Sequence, residues 1–274
     1  MLNVSRSGFY AWMHRPKSIR QQRREQVSHA VEATFKGFKQ RYGAPRITTE
    51  LNAQGIACSL NHVAQHLREK GFRARNGKGF KYRARIESKT NVSENLLARR
   101  FNPGEPNRKW VSDITYIKVG RVWLYLAVVM DLFSRKVIGW ALDNHMREDL
   151  IMEALEMAVS ERKLQSDTLL HSDRGVQYRG HDYQNALRDY GLRCSMSRTG
   201  NCWDNAVMES FFSRLKVELI YAENYQTTEQ ARTGIFEYIE MFYNRRRRHS
   251  AINYMSPTDY EEQFERLTVS TIRG

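Results

Sequence analysis

The chain contains 274 residues, 41% of them hydrophobic and 27% charged, which excludes a collagen, a low-complexity chain and a wholly disordered one. No apolar run approaches the roughly 18–20 residues that span a bilayer, so we expect no membrane partner. Three cysteines (Cys58, Cys194 and Cys202) are too few for a disulfide framework and indicate a reducing compartment.

The net charge of +14 is concentrated in the first 109 residues, which hold 23 Lys and Arg against 7 Asp and Glu. The remaining residues hold 21 against 23. A basic segment joined to a near-neutral one is typical of a nucleic-acid-binding module attached to a second domain. A Lys-rich surface that serves solubility alone is the alternative, but it would not confine the charge to one segment.

The basic segment begins with helical patterns and then contains a helix-turn-helix outline. Helices are expected at residues 5–13 and 17–41, within an N-terminal helical region 1–41, and at residues 46–54 and 60–70. Gly55 lies in the connection between the two shorter helices, and Ser59 is a suitable N-cap for the second. Gly71 is expected just after the end of that helix.

The last of these helices presents polar side chains that can reach base edges or phosphates, namely Asn61, Gln65 and Arg68. Basic and aromatic residues then alternate, as in an arm that follows phosphates: Arg73, Arg75, Lys78, Lys81, Arg83 and Arg85 with Phe72, Phe80 and Tyr82. We therefore assign residues 42–88 to a helix-turn-helix DNA-binding region with a basic arm, and residues 89–108 to a linker.

His62 and His66 stand one helical turn apart, which is a spacing found at zinc sites. No second pair of His or Cys stands nearby, and only Cys58 is close in sequence. We therefore expect both to be helix-surface or groove-facing residues.

From residue 109 the hydrophobic pattern changes to the period of two that predicts strands. Strands are expected at 109–119, 121–132, 134–143, 168–171 and 192–196, and helices at 147–163, 181–190, 204–221 and 228–246. An antiparallel meander followed by alternating helices and strands is the order of a ribonuclease H-like α/β fold with a mixed five-stranded sheet. We assign residues 109–225 to this catalytic core and residues 226–274 to a C-terminal helix and basic tail.

Three carboxylates in this core are candidates for a catalytic site. Asp113 lies within the first strand, Asp173 follows the fourth strand, and Glu209 lies on the long helix. Each alone is more simply a solvated or turn residue, but the proposed fold brings all three together. Three hard oxygen donors favour Mg²⁺ or Mn²⁺ over zinc, and two such ions suit phosphodiester displacement.

Three other carboxylates compete with these. Asp131 and Asp143 stand at strand ends, where turn residues are expected, and Asp204 is suited to cap the long helix. Asp131 is the one that we keep as the alternative ligand.

Between Asp113 and Asp173 there are 59 residues, and between Asp173 and Glu209 there are 35. This spacing resembles the D,D(35)E triad of retroviral integrases and insertion-sequence transposases. The stretches VSRSGFYAW, WVSDITYI, HSDRGVQY and YNRRRRHSAINYMSPTDY resemble the second-frame product (OrfB) of the insertion-sequence-three family over nearly the whole chain. The zinc module of viral integrases is missing, because no CxxC follows His62 and His66.

The resemblance implies roles for particular residues. Asp113, Asp173 and Glu209 would ligate two Mg²⁺ ions, for which Mn²⁺ can substitute. Lys216 would touch DNA near the scissile phosphate, and Asn205 falls within the same signature. The family's carboxy-terminal signature would add DNA contacts from Tyr243, Arg247, Arg248 and His249.

The resemblance also implies a bacterial, nucleoid-associated cytoplasmic transposase that cleaves a phosphodiester at an element end and joins the resulting 3′-OH to a target. Its partners would be double-stranded DNA, further copies of the chain, and the upstream-frame product as a fusion or a partner. One alternative is a catalytically inactive DNA-binding regulator of the parent element. Another is a ribonuclease H-like nuclease that acts on RNA, which the basic helix-turn-helix does not favour.

Overall fold

The computed structural model describes residues 5–75, 93–197 and 205–272. The chain divides into two units, Met1–Arg75 and Asn76–Gly274. Each unit buries its own set of apolar side chains. In the described ranges, no helix is long and apolar enough to cross a membrane.

The first unit is helical, and three of its helices pack together. The helices are α1 (Arg6–Met13), α2 (Ile19–Gly37), α3 (Ala44–Ala53) and α4 (Leu60–Glu69). Helix α2 buries three apolar side chains that lie one turn apart, namely Val27, Val31 and Phe35. They pack together with the buried faces of α3 and α4. The rings of Phe35 and Phe72 stack with their centroids 4.9 Å apart, so the residues after α4 also join this core.

The connection between α3 and α4 has the predicted chemistry. Gly55 adopts a positive φ of 81°, where a side chain would be strained. Ser59 is the N-cap of α4, and its hydroxyl accepts a hydrogen bond from the backbone N–H of His62 at 3.3 Å. Gly71 follows the helix with a φ of 68°. The predicted helix-turn-helix is therefore confirmed.

The second unit is built on one mixed five-stranded sheet in the order β3-β2-β1-β4-β5. Its strands are β1 (Lys109–Val119), β2 (Val122–Asp131), β3 (Val137–Asp143), β4 (Leu169–Ser172) and β5 (Arg193–Met196). The first three form an antiparallel meander, while β4 and β5 run parallel to β1. This topology confirms the predicted ribonuclease H-like fold.

Two helices, α5 (Glu148–Glu161) and α6 (His181–Asp189), share a hydrophobic core with the sheet. A short 3₁₀ turn (Gln177–Arg179) precedes α6. The close contact of α5 with β3 depends on Gly139, because a Cβ at this position would lie 2.1 Å from the carbonyl oxygen of Ala154. A glycine is needed here so that the helix backbone can lie directly on the strand.

The two long helices expected from the sequence are interrupted by wider turns. Helix α7 (Ala206–Leu215) continues as a π-helical turn (Lys216–Ile220) and a short α8 (Tyr221–Glu223). Helix α9 (Thr228–Phe236) starts at a capping box and continues as a second π-helical segment (Glu237–Tyr243). Such turns often occur at functional sites. The first of them begins with Lys216, whose charge acts on Asp113.

The C-terminal part of the chain differs from the expected basic tail. After a 3₁₀ turn (Ser250–Ile252), helix α10 spans Pro257–Ile272 and has four acidic residues and one Arg. Phe133 contacts Tyr260 and Phe264 of this helix, and Glu261 accepts a hydrogen bond from the Ser134 hydroxyl at 2.6 Å. This segment forms a helix that packs on the turn between β2 and β3, and it carries more acidic than basic residues.

The expected linker is also more ordered than the sequence indicated. Within its described part, residues 93–108, Leu97 is completely buried. The Ser195 hydroxyl of β5 accepts hydrogen bonds from the backbone N–H groups of Leu96 and Leu97, at 3.0 and 3.3 Å. These residues belong to the second unit as a segment packed along the sheet.

Candidate active site

Asp113 and Asp173 are brought together by the pairing of β1 with β4. Val111 is level with His171 in this parallel pair, so the same register continued by two residues places Asp113 level with Asp173. Strand β4 ends at Ser172, and Asp173 therefore lies just past its carboxyl end. This is the edge at which α/β sheets bind ligands.

Backbone groups orient both carboxylates. Asp113 Oδ1 accepts a hydrogen bond from the N–H of Ile114, and Asp173 Oδ1 accepts one from the N–H of Gly175, each at 2.8 Å. A Cβ on Gly175 would lie 3.0 Å from Asp173 Oδ1, so the absence of a side chain there leaves room for the carboxylate.

The electrostatics of the site are dominated by negative charge. Burial raises the pKa of Asp113 well above its ordinary value, and the charges of Asp173 and then Glu209 raise it further. The N–H of Ile114 and the nearby ammonium of Lys216 act in the opposite direction, but they do not compensate. The pair is therefore a place where additional positive charge would be stabilised.

Glu209 lies in the first turn of α7, with a solvent-exposed side chain. The surrounding protein still desolvates its carboxylate enough to raise its pKa. The charge of Glu209 contributes to the raised pKa of Asp113. Among the described residues, however, no three His, Cys, Asp or Glu side chains are grouped closely enough to hold a metal ion. The structure thus brings Asp113 and Asp173 together and leaves Glu209 at the edge of the site.

Lys216 is the first residue of the π-helical turn after α7 and is only 9% exposed. Its Nζ lies 4.6 Å from the centroid of the Tyr116 ring. Burial lowers the pKa of Lys216, and the charge of Asp113 partly offsets that effect. The ammonium is therefore held close to Asp113 and against Tyr116.

Tyr178 is a buried neighbour of the carboxylate pair that the sequence analysis did not single out. Its hydroxyl lies 3.0 Å from the Ser112 hydroxyl, and burial together with the charges of Asp113 and Asp173 raises its pKa. The only signal in the sequence was its place at the end of the HSDRGVQY stretch. Its role is to support the strand ends that present the two carboxylates.

Two of the alternative carboxylates, Asp131 and Asp143, have partners within the fold. Asp131 is completely buried, opposite Trp110, and accepts hydrogen bonds from the N–H groups of Asn107 and Phe133 at 2.8 and 2.9 Å. Asp143 lies at the end of β3 with its Oδ2 3.3 Å from His145 Nε2. Asp204 lies outside the described residues. Asp131 is therefore no longer a candidate ligand.

The carboxy-terminal signature folds inward. Arg247 is 2% exposed, and its Nη2 and Nε donate to the two carboxylate oxygens of Glu218 at 2.6 and 2.9 Å. Tyr243 is also buried, in edge-on contact with Phe211 and His249. The expected DNA contacts of Arg247 and Tyr243 are corrected accordingly, because neither side chain reaches the surface.

Other residues of the two signatures are more accessible or lie close to α7. Arg248 and His249 are partly exposed, and Arg248 Nη1 donates to the carbonyl of Tyr254 at 3.0 Å. Asn205 is buried at the start of α7, and its Oδ1 has no hydrogen-bond partner among the described residues. Their expected contacts with DNA stay predictions.

In the first unit, Asn61, Gln65 and Arg68 are all exposed along α4. His66 differs from the expectation, because it is buried and its Nε2 lies 3.1 Å from Glu32 Oε1 of α2. Of the expected basic arm, Lys78, Lys81, Arg83 and Arg85 lie outside the described residues. Contact of α4 with DNA therefore stays a prediction that the exposed face permits.

Comparisons with known proteins agree with this architecture. Residues 103–202 and 190–257 match family models described as integrase core domain, and residues 22–79 match one described as HTH-like domain. The transposase InsF for insertion sequence IS3A of Escherichia coli (strain K12) is 47% identical over 265 residues, covering 96% of this chain and 92% of that protein. The transposase for insertion sequence element IS904 of Lactococcus lactis subsp. lactis (strain IL1403) is 39% identical, covering 91% and 99%. A chain of the simian T-cell lymphotropic virus intasome in complex with PP2A regulatory subunit B56 gamma matches with a TM-score of 0.49 and 16% identity, covering 85% of this chain and 73% of that chain.

Proposed function

This chain belongs to the IS3 family of insertion-sequence transposases, and from that membership we propose that Asp113, Asp173 and Glu209 are the carboxylates with which it cuts and joins DNA. The chain is a DNA transposase with an integrase core and an HTH-like domain. The observation that best supports the proposal is the position of Asp113 on β1 beside Asp173, which follows the end of the neighbouring parallel strand β4, with the charge of Glu209 acting on Asp113.

The donor chemistry of these residues fits two divalent cations, Mg²⁺ with Mn²⁺ as a substitute. The carboxylates supply hard oxygen ligands. Burial first, and then the charges of Asp173 and Glu209, raise the pKa of Asp113, and a cation would stabilise its ionised form. Bound cations would activate the attacking oxygen and stabilise the leaving oxygen of a phosphodiester displacement. Asp113 and Asp173 would hold them, with Glu209 completing the set of ligands.

The chain's own residues position the DNA for this chemistry. Lys216 would hold the phosphate next to the one being cut, since its ammonium lies against the Tyr116 ring and its charge acts on Asp113. Asn205, at the start of the helix that presents Glu209, would contact the same strand. Arg248 and His249 would add contacts from the partly exposed part of the carboxy-terminal signature.

The helix-turn-helix would recognise the element end. Asn61, Gln65 and Arg68 are exposed along one helix, the arrangement with which recognition helices reach base edges and phosphates. Because transposition joins both ends of an element to a target, we propose that the chain acts as a homo-oligomer on DNA. The upstream-frame product would act with it, as a fusion or as a partner.

The carboxylate variants test this proposal, because Asp113→Asn, Asp173→Asn and Glu209→Gln are nearly isosteric and should leave the fold intact. Each removes a charge that would hold a cation, so strand transfer should fall by at least about 10²-fold. The assay uses a labelled duplex carrying the terminal repeat of the parent element, beside a gel shift. DNA binding should be retained, and a chelator should abolish the wild-type reaction.

Asp143→Asn is the matched control, since Asp143 lies at a strand end, where it accepts a hydrogen bond from the N–H of Asn144 and contacts His145. It should retain strand transfer. Undiminished activity in Asp113→Asn, or in excess chelator, would refute the assignment. Binding without cleavage by the wild type, even fused to the upstream-frame product, would favour the inactive DNA-binding regulator.

A further inference from the structure

The β1–β2 hairpin exposes two aromatic rings beyond the carboxylate pair. Tyr116 is 54% exposed and Trp123 is 46% exposed, and their rings meet edge to face with centroids 5.4 Å apart. In the β1–β2 register Tyr116 is opposite Tyr125 and Lys118 is opposite Trp123, so alternation places both exposed rings on one face of the sheet. The two rings therefore form one aromatic surface, of which about half is exposed.

Positive charge surrounds this surface. Lys118 Nζ lies 5.9 Å from the centroid of Trp123, and Arg121 is exposed at the turn of the hairpin. The sequence contains no Asp or Glu from residue 114 to residue 130. We call Tyr116, Lys118, Arg121 and Trp123 the hairpin surface. Its charge is complementary to that of a polyanion.

The hairpin surface is joined to the candidate active site through Lys216. Tyr116 is three residues beyond Asp113 on the same strand, so by alternation the two side chains leave the strand on opposite faces. Lys216 links them, since its ammonium lies against the Tyr116 ring and its charge acts on Asp113. DNA that is held by Lys216 near the carboxylates would therefore reach the hairpin surface at Tyr116.

Exposed rings combined with cations are how proteins bind unpaired nucleotides, because every base has a face that stacks on an aromatic side chain. The backbone of a duplex needs only cations, whereas the rings add affinity only for bases that are free to stack. We propose that the hairpin surface binds unpaired nucleotides of the DNA end by stacking on Tyr116 and Trp123. The proposal rests on the proposed function, because that function places the DNA end at Asp113.

The test measures binding by the full chain without divalent metal, so that its outcome is independent of cleavage. The probes are a blunt duplex and the same duplex with an unpaired tail of four nucleotides containing 2-aminopurine. The wild type should bind the tailed duplex more tightly and quench the 2-aminopurine emission. Trp123→Ala should weaken binding of the tailed duplex at least about fivefold and lose the quenching, with the blunt duplex unaffected.

Two further variants keep the test decisive. Trp123→Phe retains a ring and should restore the preference for the tail, while Tyr221→Ala removes another exposed aromatic ring and should change nothing. If Trp123→Ala fails to fold by circular dichroism, Tyr116→Ala removes the other ring of the surface in its place and should also reduce the preference. Equal binding of tailed and blunt duplexes by the wild type would overturn the proposal, whatever the carboxylate variants do.

Discussion

Two carboxylates of the β1–β2 strand pair, Asp113 and Asp131, differ in what surrounds them. Asp131 is enclosed by backbone donors that join the segment before β1 to the turn after β2, so its oxygens are fully used within the fold. Asp113 has one backbone donor, and the charges that act on it come from Asp173, Glu209 and Lys216. The first arrangement stabilises the protein, and the second leaves oxygens available for a ligand.

Asp131 gives a prediction for the pH dependence of stability. Burial raises its pKa to about 6 in the folded protein, above the ordinary value of about 3.9. The folded state therefore holds this proton more tightly, so the stability it contributes is present at low pH and is lost as pH rises through about 6. Relative to Asp131→Asn, which does not titrate, the wild type should lose on the order of 1 kcal/mol between pH 5 and pH 7.

Urea denaturation of both proteins at pH 5, 6 and 7 measures this difference. Asp131→Asn should also be less stable overall at pH 5, because an amide nitrogen would face one of the two N–H donors. A difference in the free energy of unfolding that grows with pH would contradict the expectation.

The sequence alone left both residues as candidate ligands. The spacing from Asp173 and Glu209 favoured Asp113, and the position of Asp131 at a strand end indicated a turn residue. The distinction depends on which backbone N–H groups point at each carboxylate. The donors that reach Asp131 come from Asn107, before β1, and from Phe133, after β2. Such contacts depend on tertiary structure and leave no local pattern.

At the scale of elements, a buried ion pair joins the two π-helical segments to the carboxy-terminal signature. Glu218, in the turn after α7, accepts from Arg247 and also from the Tyr238 hydroxyl at 2.9 Å. All three are almost completely buried. This network fixes the turn that begins with Lys216, and it links α7 to the end of α9.

Breaking this ion pair on one side should be costly. Arg247→Met leaves the Glu218 carboxylate buried without its cation, so the free energy of unfolding should fall by roughly 3–5 kcal/mol. The double variant Glu218→Gln, Arg247→Met removes both charges and should recover much of that loss. Urea midpoints of the two single variants and the double variant measure the coupling. Additive losses would show that the pair does not act as a unit.

The elements were predictable where the hydrophobic pattern is regular. β1 spans the predicted residues 109–119, and the other strands and α5 lie within one to three residues of expectation. The π-helical segments were missed because one wider turn shifts the helical period too little to be seen in a sequence. Helix α10 was missed because acidic residues interrupt the hydrophobic pattern of its sequence, although one face of the helix carries the rings that contact Phe133.

At the scale of the whole molecule, the net positive charge lies in the first 109 residues, and the three candidate catalytic carboxylates lie in the rest of the chain. DNA binding should therefore weaken with salt, since each phosphate neutralised contributes about 0.9 to the slope of log affinity against log salt concentration. Arg68→Gln should reduce that slope by about 1. Arg266→Gln, on the acidic helix α10, is the control and should leave it unchanged. An unchanged slope in Arg68→Gln would exclude a phosphate contact at this residue.

The sheet order has a consequence for the way the enzyme is made. β1, β2 and β3 are consecutive and can pair as soon as they are synthesised, whereas β4 can join the free edge of β1 only after the chain through α5 has been synthesised. Long-range parallel pairing is slow compared with local hairpin formation. The nascent chain therefore passes through a stage in which β1 has an open edge and Asp113 has no partner. Products that end before residue 168 should self-associate through that edge and lack nuclease activity, so a broken gene copy yields aggregates rather than an uncontrolled cutting enzyme.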